Sequence, residues 1–333
     1  MMGGKVQDVG VRNPVRKGMV STSEDKRRLN SMRSTPDAIH EKRWVALSSV
    51  LAALILTSLK LIVGLLTGSL GILSEALHSG LDLAAAAITL IAVRVADRPA
   101  DTHHLYGHGK VENLSALAET LLLLATATWV IYEAIQRLFF KVVEVDASLW
   151  AFGVMAFSII VDASRSRVLM RAARKHESQA LEADALHFST DVWSSAVVIA
   201  GLIGVRLAEI EPRLHFLVRA DAVAAIGVSC IVILVGARLG QRAIAALMDT
   251  APEGTVEKVK TAVRQVTGVV DCENVRVRGS GADIFVDVTV KVKGDQPLTV
   301  AHAIADQAEE AVRRVLPRAD VVVHTEPYVK RKP

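Results

Sequence analysis

The chain has 333 residues, 51% of them hydrophobic and 22% charged, with a formal net charge of +4 at neutral pH. Apolar runs of about 20 residues recur, the length a helix needs to cross a bilayer, so the composition indicates mainly a membrane protein rather than a soluble domain. The two cysteines, Cys230 in an apolar run and Cys272 in a polar region, can build neither a disulfide framework nor a cysteine-based zinc site.

Residues 1–43 carry Lys5, Arg12, Arg16, Lys17, Lys26, Arg27, Arg28, Arg33, Lys42 and Arg43 among Pro, Ser and Gly, without apolar periodicity. Such a basic head predicts disorder. It lacks the apolar stretch and small-residue cleavage site of a secretory signal, so the first membrane helix is expected to begin at Trp44 and to be retained. Six spans are expected next, at 44–67, 70–96, 112–139, 147–170, 178–207 and 216–247, within a transmembrane domain of residues 44–250. Arg94, Arg98 and Lys110 follow the second span, and Arg165, Arg167, Arg171, Arg174 and Lys175 lie at the end of the fourth. The other connections are poorer in Lys and Arg, which predicts that both termini are cytoplasmic.

Residues 251–333 change character. Thr255 to Val266 reads as a helix; Val275 and Val277 alternate before a Gly279-Ser280-Gly281 turn, and Val286, Val288, Val290 and Val292 alternate after it. A second helix from Leu298 to about Val315 and a strand Asp320–His324 complete a small α+β domain with helices on one face of a sheet.

The segments that carry chemistry are two copies of His-x-x-x-Asp, His78 with Asp82 and His187 with Asp191, inside apolar spans. Ionisable groups there cost a few kcal/mol each on insertion scales, about 3 for Asp, so four at matched spacing demand a reason. Residues four apart on a helix share a face, so each motif presents one nitrogen and one carboxylate in one direction. At a rise of about 1.5 Å per residue, Asp82 and Asp191 both lie roughly 20 Å from the cytoplasmic ends of their spans. Two such helices facing each other offer an N₂O₂ tetrahedron, which suits Zn²⁺ and is compatible with Cd²⁺, Co²⁺, Fe²⁺ or Mn²⁺. A histidine ligates only when neutral, so cation entry expels protons and acidification expels the cation. Asp101, His104 and His108, in the loop after the second span, form a further zinc-type set, the competing reading being a solvated loop.

Three stretches carry a resemblance to a known family: Ser74-Glu75-Ala76-Leu77-His78-Ser79-Gly80-Leu81-Asp82, the loop Arg98 to Glu112, and Ala185-Leu186-His187-Phe188-Ser189-Thr190-Asp191. With these the chain resembles the cation diffusion facilitator family of proton-coupled divalent-metal exporters, from about Trp44 to about Tyr328. The resemblance implies an all-α six-helix transmembrane domain followed by a small α+β ferredoxin-like cytoplasmic domain. It implies a transport site at His78, Asp82, His187 and Asp191, and a second metal site near the membrane surface at Asp101, His104 and His108. A bacterial zinc exporter of the family has Asp where His78 stands, whereas many eukaryotic members have His. Lys110 and Asp249 match a charge pair that links the third and sixth spans in relatives.

In the tail, His302, His324 and Glu326 fall at family ligand positions, while Glu273 and Thr289 stand where the bacterial exporter has His. The resemblance therefore leaves two readings open, a single weaker regulatory metal site or a domain that only dimerises. Glu75 lies one turn from His78 and either assists cation entry or is a solvated carboxylate. Lys60 and Asp162 are expected to face the bundle, Asp221 to be a structural partner, and Asp184 to draw cations from the cytoplasm. The expected protein is a homodimeric inner-membrane exporter exchanging cytoplasmic Zn²⁺ for outside protons by alternating access, with no enzymatic activity, no prosthetic group and no nucleic-acid partner. The competing reading is a membrane-anchored metal sensor signalling through its cytoplasmic domain.

Overall fold

The computed structural model describes residues 36–67, 70–139, 149–210 and 217–329. Six long helices come first: α1 (Pro36–Thr67), α2 (Leu70–Ala96), α3 (Lys110–Phe139), α4 (Leu149–His176), α5 (Gln179–Ile210) and α6 (Leu217–Leu247). A smaller set follows, α7 (Thr255–Arg264), β1 (Asp271–Ser280), β2 (Asp283–Val292), α8 (Leu298–Val315) and β3 (Ala319–Pro327). Among the described residues, four stretches are long and apolar enough to cross a membrane: Pro36–Leu66, Glu75–Ala96, Lys110–Gln136 and Ala225–Leu247. Helices α4 and α5 do not meet that criterion. The last turns of α4 are basic, with Arg165, Arg167, Arg171, Arg174 and Lys175, and the first turns of α5 hold Glu182, Asp184, His187 and Asp191.

Helix α1 starts at Pro36, which corrects the expectation of disorder through residue 43; residues 1–35 lie outside the described residues. Pro at the first helical position is pre-set for the helix and gives up only an N–H that has no intrahelical partner there. Tertiary charge pairing then holds this turn in place. The buried Lys42 ammonium meets Asp97 Oδ1 at 2.6 Å and Glu112 Oε1 at 3.2 Å, and Arg43 reaches Asp97 Oδ2 at 3.5 Å. One ammonium thus ties the start of α1 to the residue after α2 and to the first turn of α3.

In the bundle, α1 packs along α2, α3 along α6 and α4 along α5, while α5 also touches α2, α3 and α6. That central position of α5 brings its polar first half against α2. Small residues permit close approach: a Cβ at Gly240 of α6 would stand 3.1 Å from Thr120 Cγ2 of α3. Ala86, Ala92, Ala172, Ala180 and Ala185 sit beside Leu169, Leu181 and Phe188 in a fully buried cluster.

In the tail, β1 and β2 pair antiparallel, β3 adds parallel to β2, and the sheet order is β1-β2-β3. The alternating Val286, Val288, Val290 and Val292 are all buried, packed against Val259 and Val263 of α7 and Ile304, Ala308 and Val312 of α8. The turn differs from the expected Gly279-Ser280-Gly281: Ser280 pairs with Asp283, leaving a two-residue loop whose Gly281 has φ +61°. A left-handed first position is what the twist of a two-residue hairpin requires. β3 also runs longer than the expected 320–324, because its pairing with β2 continues to Val292 and Pro327.

The hairpin tip lies against the loop between α2 and α3. A Cβ at Gly109 would come within 2.4 Å of Ser280 O, so this approach tolerates only glycine. Beside it, the Arg278 guanidinium lies 3.9 Å from the Tyr106 ring centroid, and Tyr106 meets Phe285 edge-on at 5.1 Å.

Candidate metal centre

The four-residue period places His78 one turn before Asp82 on α2 and His187 one turn before Asp191 on α5. The two helices cross so that the pairs interleave. His187 Nε2 lies 3.2 Å from Asp82 Oδ1 and 3.7 Å from Asp191 Oδ2; His78 Nε2 lies 3.8 Å from Asp191 Oδ1 and 3.9 Å from Asp82 Oδ1. In a tetrahedron with bonds of about 2.0–2.1 Å, ligand atoms stand about 3.3 Å apart. Among the described residues, His78, Asp82 and Asp191 form one group close enough to hold an ion, and His187 Nε2 stands beside it, 3.2 Å from Asp82 Oδ1. Three of the side chains are buried, and His78, at 34% exposure, is the open side of the cluster.

Polar neighbours surround this point. Lys60 of α1 donates to Ser79 Oγ at 2.8 Å and pairs with Glu75 at 3.2 Å, so Glu75 faces a fixed cation. Asp162 and Arg165 of α4 pair at 3.1 Å; Arg165 also donates to Ser49 Oγ at 3.0 Å and stacks 3.6 Å over the Phe188 ring. Ser49 in turn donates to Asp184 Oδ2 at 3.2 Å. Lys60 and Asp162 therefore face the bundle, as expected from their cost against lipid. The side chain of Asp221 lies outside the described residues.

Sequence reasoning missed Glu119. This α3 residue is 1% exposed, and its Oε1 accepts hydrogen bonds from Thr89 of α2 and, at 3.2 Å, from Ser115. The signal was available: a lone carboxylate in an apolar span. It has no partner at motif spacing in the sequence. Glu112 and Asp97, which grip Lys42, were missed for the same reason.

In the α2–α3 loop, Asp101 Oδ1 accepts the backbone N–H groups of His104 and His103 at 2.7 and 2.8 Å. These bonds, His104's first, hold the Asp101 carboxyl below its ordinary value. The same residue reaches His104 Nδ1 at 3.3 Å through Oδ1 and His108 Nε2 at 3.4 Å through Oδ2, and the two imidazoles lie 4.3 Å apart between centroids. Asp101, His104 and His108 are thus brought together, whereas His103 is exposed. Lys110 meets Asp249 at 2.9 Å, and Arg278 of β1 approaches the same carboxylate at 3.7 Å.

The tail set is not assembled in the same way. His324 Nε2 stands 3.4 Å from Glu326 Oε1, but His302 lies on α8, 75% exposed and near only Asp306 at 3.9 Å. Among the described residues, the groups of three or more donors close enough to hold one ion lie in the bundle and in the loop, not in the tail. An ammonium takes the place of an ion there: Lys291 contacts Glu326 Oε2 at 2.5 Å and Glu273 Oε2 at 3.5 Å, which raises the lysine pKa and lowers that of Glu326. Register explains it, since Asp271, Lys291 and Glu326 align across the three strands while Glu273, Thr289 and His324 align two positions away.

A helical membrane domain with converged His and Asp side chains, followed by a small α+β domain, defines a class of transporter rather than an enzyme. Residues 46–248 match the cation efflux transmembrane domain and residues 251–328 match the cytoplasmic domain of cation efflux proteins. The chain belongs to this family, the cation diffusion facilitators, whose members move divalent cations and are not enzymes. The cation-efflux pump FieF of Yersinia enterocolitica serotype O:8 / biotype 1B is 33% identical over 285 residues, covering 85% of this chain and 91% of that protein. FieF of Salmonella paratyphi A is 30% identical over 297 residues, covering 89% and 95%. The solved MamM-CTD structure is 26% identical over 23% of this chain and 98% of its own, with a TM-score of 0.22.

Proposed function

We propose that the protein exports Zn²⁺ from the cytoplasm in exchange for protons, by alternating access to the cluster His78, Asp82, His187 and Asp191. The observation that carries this reading is the grouping of His78 and Asp82 of α2 with Asp191 of α5 close enough to hold one ion, with His187 Nε2 of α5 3.2 Å from Asp82 Oδ1. Similarity to cation-efflux pumps over most of the chain supports efflux. A divalent cation entering the cluster is neutralised by the two carboxylates, and both imidazoles must be neutral to ligate it, so protons and cation compete for the same donors. Six spans, an inner-membrane location and cytoplasmic termini belong to this reading; the six long helices support the spans and the distribution of basic residues supports the orientation.

Asp101, His104 and His108 hold a second cation at the membrane surface and raise its local concentration beside the bundle. The tail, residues 251–333, joins two chains into a homodimer and does not bind a cation with His302, His324 and Glu326 of one subunit alone. A membrane-anchored sensor would have no need of four His and Asp donors gathered between α2 and α5.

The test is Zn²⁺ flux into proteoliposomes under an imposed pH gradient. Wild type transports and His78→Ala and Asp191→Ala do not. Equal transport by all three would refute the site, and wild-type flux indifferent to the gradient would refute proton exchange.

A further inference from the structure

Glu119 is a carboxylate in a position where a bare charge is expensive. It is 1% exposed, in the interior of α3, and among the described residues no Lys, Arg or His lies within ion-pair distance of it. Its Oε1 takes both available hydroxyls, from Thr89 and Ser115, and its Oε2 makes no hydrogen bond. The charged groups that act on it come from α5, Asp184 and His187. Of the other elements packed on α3, α2 contributes the Thr89 hydroxyl, and Arg242 of α6 is engaged by Glu182 at 2.9 Å. On α3 itself, Glu112 is held by Lys42.

Depth agrees with a shared role. Glu119 is nine residues into α3 and His187 eight into α5, so both lie roughly 12–14 Å from their helix starts at about 1.5 Å per residue. Asp184 lies nearly one turn closer to the start of α5, fully buried, with Oδ1 free of hydrogen bonds. Two carboxylates with three hydroxyls do not make a third site for the divalent cargo, since the donor clusters among the described residues lie elsewhere. A proton needs only one oxygen.

We propose that Glu119 is a proton-carrying residue of the exchange: its carboxyl holds a proton while the four-residue cluster is empty and releases it when a divalent cation arrives. This deepens the proton-coupled reading and rests on it. The step is a single ionisation. The Glu119 O–H bond breaks, the proton leaves to water on the cytoplasmic side, and the carboxylate left behind offsets one unit of the cation's charge. Burial without a counter-ion favours the protonated form before the cation enters.

The experiment adds Zn²⁺ to the purified full-length protein and counts protons released per bound ion, for wild type and Glu119→Gln. The amide keeps an oxygen for the Thr89 and Ser115 hydroxyls and cannot ionise. The variant is expected to bind Zn²⁺ and to release one proton fewer. Release equal to wild type, with Zn²⁺ bound, overturns the proposal and leaves proton coupling intact; wild-type flux that ignores a pH gradient overturns both. Infrared difference spectra of wild type give a reading that does not depend on the variant folding. A protonated-carboxyl carbonyl band should disappear on Zn²⁺ addition, and no change in that band overturns the proposal.

Discussion

The cluster in the bundle and the candidate set in the tail use the same residue types, His with carboxylates, and end in opposite states. In the bundle, α2 and α5 bring His78, Asp82 and Asp191 close enough to share one ion, with His187 beside Asp82 at 3.2 Å. In the tail, Lys291 stands between Glu326 and Glu273, and His302 sits apart on α8. Donor identity is therefore not the deciding property. What decides is whether rigid elements converge the donors and whether the chain already supplies a cation.

Six substitutions test this contrast. The largest effect is expected at the bundle cluster. Removing Asp82 or His187 as Ala leaves the remaining donors buried and short of a ligand. Zn²⁺ affinity, read by equilibrium binding, should fall by more than the roughly 10- to 100-fold that loss of an outer partner alone costs.

Next is Lys42→Ala, which strands Asp97 and Glu112 in a buried setting; thermal unfolding of the purified protein should show a loss of about 3–5 kcal/mol. Its exposed counterpart Lys110→Ala, from a pair 38% and 43% exposed, should cost only about 0–1 kcal/mol. Similar losses for the two would contradict the burial argument.

In the loop, Asp101→Ala removes the acceptor of two backbone N–H groups together with the carboxylate that faces both imidazoles. Hydrogen exchange at residues 102–108 should speed up, and Zn²⁺ binding by the loop should be lost. The sign of the pH effect follows from the lowered Asp101 pKa. Its contribution to loop order is present above the ordinary carboxylate value and is lost as pH falls through the lowered one.

The smallest effect is in the tail. In a chain already lacking the loop and bundle ligands Asp101 and Asp191, Lys291→Gln frees Glu326 and Glu273 and should create weak Zn²⁺ binding. At tenfold excess over Kd this would stabilise by about 1.4 kcal/mol, while the same chain with Lys291 intact gains nothing.

The features legible in the sequence were periodic ones. His-x-x-x-Asp states its own geometry, because four residues make about one helical turn, and the valine alternation of β2 states which face is buried. Features set by tertiary pairing were not legible. Pro36 to Arg43 read as disordered because nothing local shows that Asp97 and Glu112 wait for Lys42. Glu119 was silent because a single carboxylate has no spacing to recognise. The place of Lys291 beside Glu326 was not legible either, because strand register pairs residues 35 positions apart.

The central claim, that α2 and α5 together hold one cation with two imidazoles and two carboxylates, is tested most directly by X-ray absorption at the zinc edge. The sample is the full-length protein with Asp101, His104 and His108 replaced by Ala. The account predicts a four-coordinate shell of mixed nitrogen and oxygen at about 2.0–2.2 Å, with imidazole scattering that weakens when His187→Ala is added. A shell without imidazole, or one unchanged by His187→Ala, would contradict it.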